Sequence, residues 1–235
     1  MHILVLSACT STYLPLAKIT QPTKTRYAGI HGYACECRVS PEAGTSWGRV
    51  RIWLKALEEV GENGVVFFTG TDAAITNPVT SVESLLRYNA DFRFCVDQHG
   101  LQCDSWVMVS NTRTRAFLEA VLAREGKDNN EQDAMQVVLS GAASYGDLRR
   151  RYDMGGEDRW LFFTRELNNT PVKCQLTDRR VLNALPHEHY GGTGEEPYSW
   201  CPLSLVCHFP GKSLDFRLTH FPAYIEKGAA AYERR

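Results

Sequence analysis

The strongest constraint in this chain is an alternation. Continuous apolar runs recur between stretches whose apolar residues are spaced three and four apart. HILVLSA near the amino terminus, VVFFT at 65–69, FRFCV at 92–96, SWVMVS at 105–110 and LSLVCHF at 203–209 each read as a buried strand. Between them lie helical patterns. After a Pro-containing loop, TKTRYAGIHGY (23–33) reads as a short helix closing on a glycine, followed by the strand ACECRV. In SWGRVRIWLKALEEVGENG, Val50, Trp53, Leu54, Leu57 and Val60 form one apolar stripe, and Gly61 and Gly64 stop it. Thr80 with Glu83 three residues on has the form of a capping box for SVESLLRY. TRTRAFLEAVLAREG, with Phe117, Ala120 and Val121 on one face, and EQDAMQVVL predict two more helices, and VKCQL a further strand.

Strands alternating with helices predict an α/β fold, Rossmann-type, with a mostly parallel sheet covered by helices on both faces. The 235 residues suit a single domain. Ligands in such sheets sit beyond the carboxyl ends of the strands. The polar segments there are Ser7 to Thr12, Gly70 to Asn77, Asp97 to Gln102 and His208 to Lys212. No GxGxxG or GxxxxGK[ST] occurs, which removes the main support for dehydrogenase and P-loop readings. A net charge of -1 gives no general attraction to nucleic acid or anionic lipid.

Leu6-Ser7-Ala8-Cys9 has the look of a lipoprotein cleavage site, but no basic residue precedes it and the apolar stretch is short, so a first strand is expected instead. No segment has the roughly 20 apolar residues of a membrane span. A soluble, cytoplasmic protein is expected. The eight cysteines show no CxxC pair or zinc-like spacing and fit reduced thiols. His187 and His189 form a lone HxH in a loop, a weak metal signal. Trp47, Trp53 and Trp106 stand at periodic positions and are expected in the core.

Short blocks stand in order over roughly residues 18 to 212: KTRYAGIHGY (24–33), SWGRV (46–50), FFTGTDAAITN (67–77), GLQCDSWVMVSN (100–111), EQDAM (131–135) and HFPGK (208–212). In this order they resemble the type-A (GT-A fold) nucleotide-sugar glycosyltransferases of the fungal and plant galactosyl-, mannosyl- and xylosyltransferase group. Residues from about 140 to 200 match nothing in that pattern and read as an insertion within the one domain.

The resemblance implies a retaining transferase that takes a sugar from a nucleotide-sugar donor, UDP-linked, with Mn²⁺ or Mg²⁺ as cofactor. The family's metal segment reads D-x-D, and here it is Gly70-Thr71-Asp72, so only the second carboxylate is present. Asp72 and His208 carry over as metal ligands, and a weaker metal dependence follows. Ser7, Ala8, Thr10, Arg49, Gly70, Thr71, Asp72, Asp104, Gly211 and Lys212 are the expected donor-binding positions, although Gly70 does not carry over as a metal ligand. Arg49 and Lys212 are expected to face the diphosphate, where charge develops. Glu131 and Gln132, with Asp133 adjacent, are expected beneath the donor sugar as the catalytic floor. Acidic residues at a helix start also have a bland explanation in the helix dipole. Asp104 stands where the family commonly has glycine, and Gln102 where it has asparagine. His31 of the HGY block reads as structural. The acceptor is left open between glycan, protein and modified nucleic acid. Two rival readings are a degenerate domain that binds without turnover and a DNA-directed protein that uses Arg149, Arg150, Arg151, Arg159, Arg179 and Arg180 on phosphates.

Overall fold

The structure, a computed structural model, describes residues 1–86, 90–97, 100–151, 172–190 and 199–234. Gln98 and His99 of one polar segment, Arg159, and much of the expected insertion lie outside the described residues, as do the side chains of Arg151 and Arg179.

β1 (Ile3–Cys9) is buried along its whole length, as an unbroken apolar run requires when both faces are covered. It pairs in parallel with β2 (Ala34–Val39) on one side and β3 (Val65–Thr69) on the other. β6 (Gly100–Val109) pairs antiparallel with β3 and with β5 (Phe92–Asp97), and β7 (Cys174–Leu176) closes the row in parallel with β5. The order is β2-β1-β3-β6-β5-β7, and only β6 runs against the rest. β4 (Ala73–Ile75) and β8 (Val206–His208) form a separate antiparallel pair.

Successive residues of a strand face opposite ways, and the core divides accordingly. Leu4, Leu6, Val66 and Phe68 pack beneath α2 (Ser46–Val60), α4 (Thr112–Leu122) and α5 (Glu131–Ser140). Trp53 and Trp106 meet there edge to face, with ring centroids 5.3 Å apart. Full burial of a side chain such as Val66 or Phe68 contributes ~1.5–3 kcal/mol. Ile3, Val5, Val65 and Phe67 pack on the opposite face against Tyr27 and Ala28 of α1 (Leu14–His31), near the short helix α3 (Val82–Leu85). A third cluster sets Leu16 of α1 against Phe221 and Tyr224 of the C-terminal helix Leu214–Glu233. Between α5 and that helix lie α6 (Tyr145–Arg151) and α7 (Arg179–Leu182), so the C-terminal helix is α8.

Three local expectations need correction. α1 starts at Leu14, well before the predicted short helix: Pro15 lies in its first turn, where no N–H is needed, and the helix continues through Pro22 to Gly32 in the left-handed region. The cap of α3 is Ser81, whose hydroxyl accepts from the Ser84 amide, one residue beyond the predicted Thr80. On α4 the buried partner of Phe117 and Val121 is Leu118, while Ala120 is exposed.

Candidate active site

The strand order reverses between β1 and β3: from β1 the chain moves outward to β2, then returns to β3 on the other side. A crevice opens at the carboxyl ends of strands at such a point. The turn Gly70-Thr71-Asp72 leaves β3 there and runs directly into β4. Its backbone is held from three directions. The buried Lys24 Nζ donates to the Thr69 and Gly70 carbonyls at 3.1 and 2.8 Å. The Thr20 hydroxyl donates to the Thr71 carbonyl, and the Thr71 hydroxyl to that of Ala8, both at 2.9 Å. Burial pulls Lys24 from 10.5 to about 8, with nearby thiols and Asp72 opposing.

Pairing of β4 with β8 sets Ala73 opposite His208, and the Phe209 amide donates to the Asp72 carbonyl. This register carries His208 to Asp72, with Nε2 3.5 Å from Asp72 Oδ2. On the other flank the Gly70 amide donates to the Asp104 carbonyl at 2.7 Å, and Asp104 Oδ2 lies 4.0 Å from the same His208 nitrogen. Arg217 of α8 pairs with Asp72 Oδ2 at 2.9 Å, while its Nε donates to the Phe209 carbonyl.

Charge and burial compete throughout this corner. Burial pushes the Asp72 carboxyl up, but His208, by charge and hydrogen bond, and then Arg217 outweigh it and hold Asp72 below the usual carboxylate range. Asp104 is raised by burial and then by the neighbouring Asp72 charge, against His208 and Arg49. Burial opposes protonation of His208, yet Asp72 and Asp104 together raise its pKa. Asn183 Oδ1 accepts from His208 Nδ1 at 2.5 Å, which fixes the ring and turns Nε2 toward the two carboxylates. That nitrogen is fully buried, and its nearest acceptor is Asp72 Oδ2 at 3.5 Å, too long for a well-formed hydrogen bond. It is the position for a proton or a metal ion.

Asp104 also belongs to the wall of a cavity of about 490 Å³, shared with Arg49, Cys103, Glu131, Gln132 and Asp133, and with Arg149 of α6 at its rim. Arg49 reaches Asp104 Oδ1 at 3.1 Å and also pairs with the buried Glu131. Asn130 caps α5 by accepting from the Asp133 amide at 2.9 Å, and this cap orients the EQD turn toward the cavity. Burial raises the Asp133 carboxyl.

The structure thus brings together Asp72, His208, Asp104, Arg49, Glu131, Gln132 and Asp133, with Gly70 and Thr71 forming the turn. Ser7 lies aside, its hydroxyl donating to Gln21 at 2.7 Å, and Ala8 contributes its carbonyl to Thr71. Thr10 precedes the short 3-10 turn Ser11–Tyr13. Lys212 donates to the His189 carbonyl at 2.6 Å and lies over the Tyr190 ring, and Gly211 before it has φ +68°. His31 meets the Pro78 carbonyl and stacks on Tyr33, a structural placement. Trp53 and Trp106 are in the core and Trp47 packs at its margin. Of the arginines read as phosphate contacts, Arg149 faces the cavity and Arg150 pairs with Asp147.

Sequence reasoning missed Lys24, Asn183 and Arg217. Lys24 stood inside a quoted block with no role, whereas nothing local marks Asn183 or Arg217.

Compared by sequence, the chain matches no protein-family model and no curated protein. Compared by structure, it is similar to a glycosyltransferase involved in the glycosylation of the major capsid of PBCV-1, with a TM-score of 0.61, 13 % identity, and coverage of 95 % of this chain and 100 % of that one. The chain has a type-A glycosyltransferase fold. Two further likenesses to such folds are looser: the galactosyltransferase LgtC in complex with donor and acceptor sugar analogues (TM-score 0.44, 10 % identity, 97 % and 95 % covered), and apo GlyE of Streptococcus pneumoniae TIGR4 (0.49, 9 %, 98 % and 64 %). Among the described residues, no helix of this glycosyltransferase fold is long and apolar enough to cross a membrane.

Proposed function

We propose that the chain is a retaining glycosyltransferase that moves a sugar from a nucleotide-sugar, UDP-linked, to an acceptor hydroxyl. One observation carries the reading. Asp104 joins the acidic corner of Asp72 and His208 to the cavity floored by Glu131 and Gln132, so a diphosphate in the corner would hold its sugar over that floor.

In this reading Arg49 faces the diphosphate, with its guanidinium already oriented by Asp104 and Glu131. Glu131 and Asp133 accept sugar hydroxyls, and Gln132 lies by the reacting carbon. Lys212 serves the leaving phosphate only after releasing the His189 carbonyl. Asp72 and His208 would hold Mn²⁺ or Mg²⁺, and a buried Nε2 turned toward carboxylates by a fixed Nδ1 fits an ion there. When bound, the ion neutralises the diphosphate charge that develops as the sugar leaves. Support for retention and for UDP comes from the resemblance of the EQDAM and HFPGK blocks.

A panel of nucleotide-sugars incubated with Mn²⁺ tests the proposal, read as nucleotide released. Release from at least one donor is expected. Tight UDP binding without release from any donor, with any metal, would establish a binding domain instead. Gly70, which deletes one carboxylate from the metal segment, is the feature that favours that second reading.

A further inference from the structure

The acidic corner contains a carboxylate that the D-x-D reading did not place there. We infer that Asp104, on β6, supplies the second acidic ligand that Gly70 lacks, so that Asp72, Asp104 and His208 together form the divalent-cation site. This inference rests on the glycosyltransferase reading and deepens its metal site.

The geometry begins with the backbone. β3 and β6 pair antiparallel with Thr69 opposite Ser105, and the Gly70 amide donates to the Asp104 carbonyl at 2.7 Å. A Cβ placed on Gly70 would lie 3.6 Å from the Asp104 Cβ. A side chain from either position therefore starts from nearly the same point in the crevice. The same Cβ would stand 2.8 Å from Asp72 Oδ1, so Asp72 already occupies space that a side chain at position 70 would need. Glycine at 70 and aspartate at 104 are complementary: one clears the space and the other refills the charge.

The orientation of Asp104 agrees. Arg49 binds Oδ1, and Oδ2 faces His208 Nε2 at 4.0 Å, beside Asp72 Oδ2 at 3.5 Å from that nitrogen. Nε2 is buried between two carboxylates, one of whose oxygens, Asp72 Oδ2, also takes Arg217 at 2.9 Å, and oxygen and imidazole donors converging in this way suit a hard cation. Among the described residues no group of three His, Cys, Asp or Glu side chains is set as a preformed metal site, which is why metal binding itself is the quantity to measure.

The test is Mn²⁺ binding, followed by the loss of the free-ion electron paramagnetic resonance signal, with UDP affinity measured separately by calorimetry. It uses the full chain, Asp104→Asn, Asp72→Asn and Arg49→Met, with melting temperatures recorded for each. Asp104→Asn is expected to weaken Mn²⁺ binding at least tenfold, as Asp72→Asn does. Arg49→Met should leave it within about threefold, because removing a nearby cation does not remove a ligand. If Asp104→Asn binds Mn²⁺ like the parent, or if Arg49→Met loses as much as Asp104→Asn, the inference is overturned while the glycosyltransferase reading stands. If the parent chain binds UDP but no Mn²⁺, the metal site itself is wrong. Binding of neither would sink the donor reading.

Discussion

Lys24 shows how a single residue can support a site it does not line. Its ammonium is buried among backbone carbonyls and its pKa is pulled to about 8. Below that pH the lysine is charged in both the folded and unfolded chain, so the full cost of burying a cation is present. Between about pH 8 and 10.5 the folded chain loses its proton first, the unfolded chain binds more protons, and stability rises with pH. The buried cysteines, whose thiols burial raises, act in the opposite sense over the same range, so the difference isolates the lysine: between pH 7.5 and 9.5, urea titrations should show the stability of the parent gaining relative to that of Lys24→Met. An identical pH dependence in parent and variant would mean that Lys24 does not carry this effect. Asn183 supports the site through His208 in a comparable way. Asn183→Leu removes the acceptor on Nδ1 and should weaken Mn²⁺ binding ~10–100-fold, the usual cost of losing such a support. Calorimetry with Mn²⁺ reads it directly, and unchanged affinity would mean that Asn183 does not orient the ring.

At the scale of elements, α8 acts as a brace across the site. It presents Arg217 to Asp72 near its start, and farther along Gly228 presses against Thr76, just past β4: a Cβ at 228 would lie 2.4 Å from the Thr76 carbonyl oxygen. Gly228→Ala should therefore force the helix off the β4–β8 pair and cost ~1–3 kcal/mol, the usual range for overpacking. A lowered urea midpoint with an unchanged slope is the expected readout. The strands β1 and β3 and the helix α2 were legible in the sequence because their apolar patterns are long and uninterrupted. The true extent of α1 was hidden by Pro15, which is tolerated in a first turn, and by Pro22, which sits in the helix interior where proline ordinarily breaks the pattern. β8 was visible as an apolar run, but its partner was not, since only long-range pairing decides that it joins β4. The same limit explains the site. Asp72, Glu131 and His208 stood in short blocks, whereas Asn183 and Arg217 become site neighbours only through contacts between distant elements.

For the whole molecule, the reading stands or falls on catalysis as a joint property of both walls. Gln132 lines the cavity from α5, and Asp104 of β6 and Arg49 of α2 line it with Gln132. If it meets the sugar mainly in the transition state, Gln132→Ala should lower kcat ~10²-fold or more with little change in KM, the signature of a contact made only there. Unchanged turnover would move the catalytic floor elsewhere. The small β4–β8 sheet has a further consequence, for the order in which the protein comes into being. Its two strands are far apart in the sequence, and the later one carries His208. A chain growing from its amino terminus completes β1, β3 and the Asp72 turn long before His208 and Arg217 exist. Until they arrive, Asp72 has neither its histidine nor its arginine, and a half-made protein holds an acidic turn with nothing to complete it. The acidic corner is therefore assembled later than the strands that frame it, by residues more than a hundred positions downstream of Asp72.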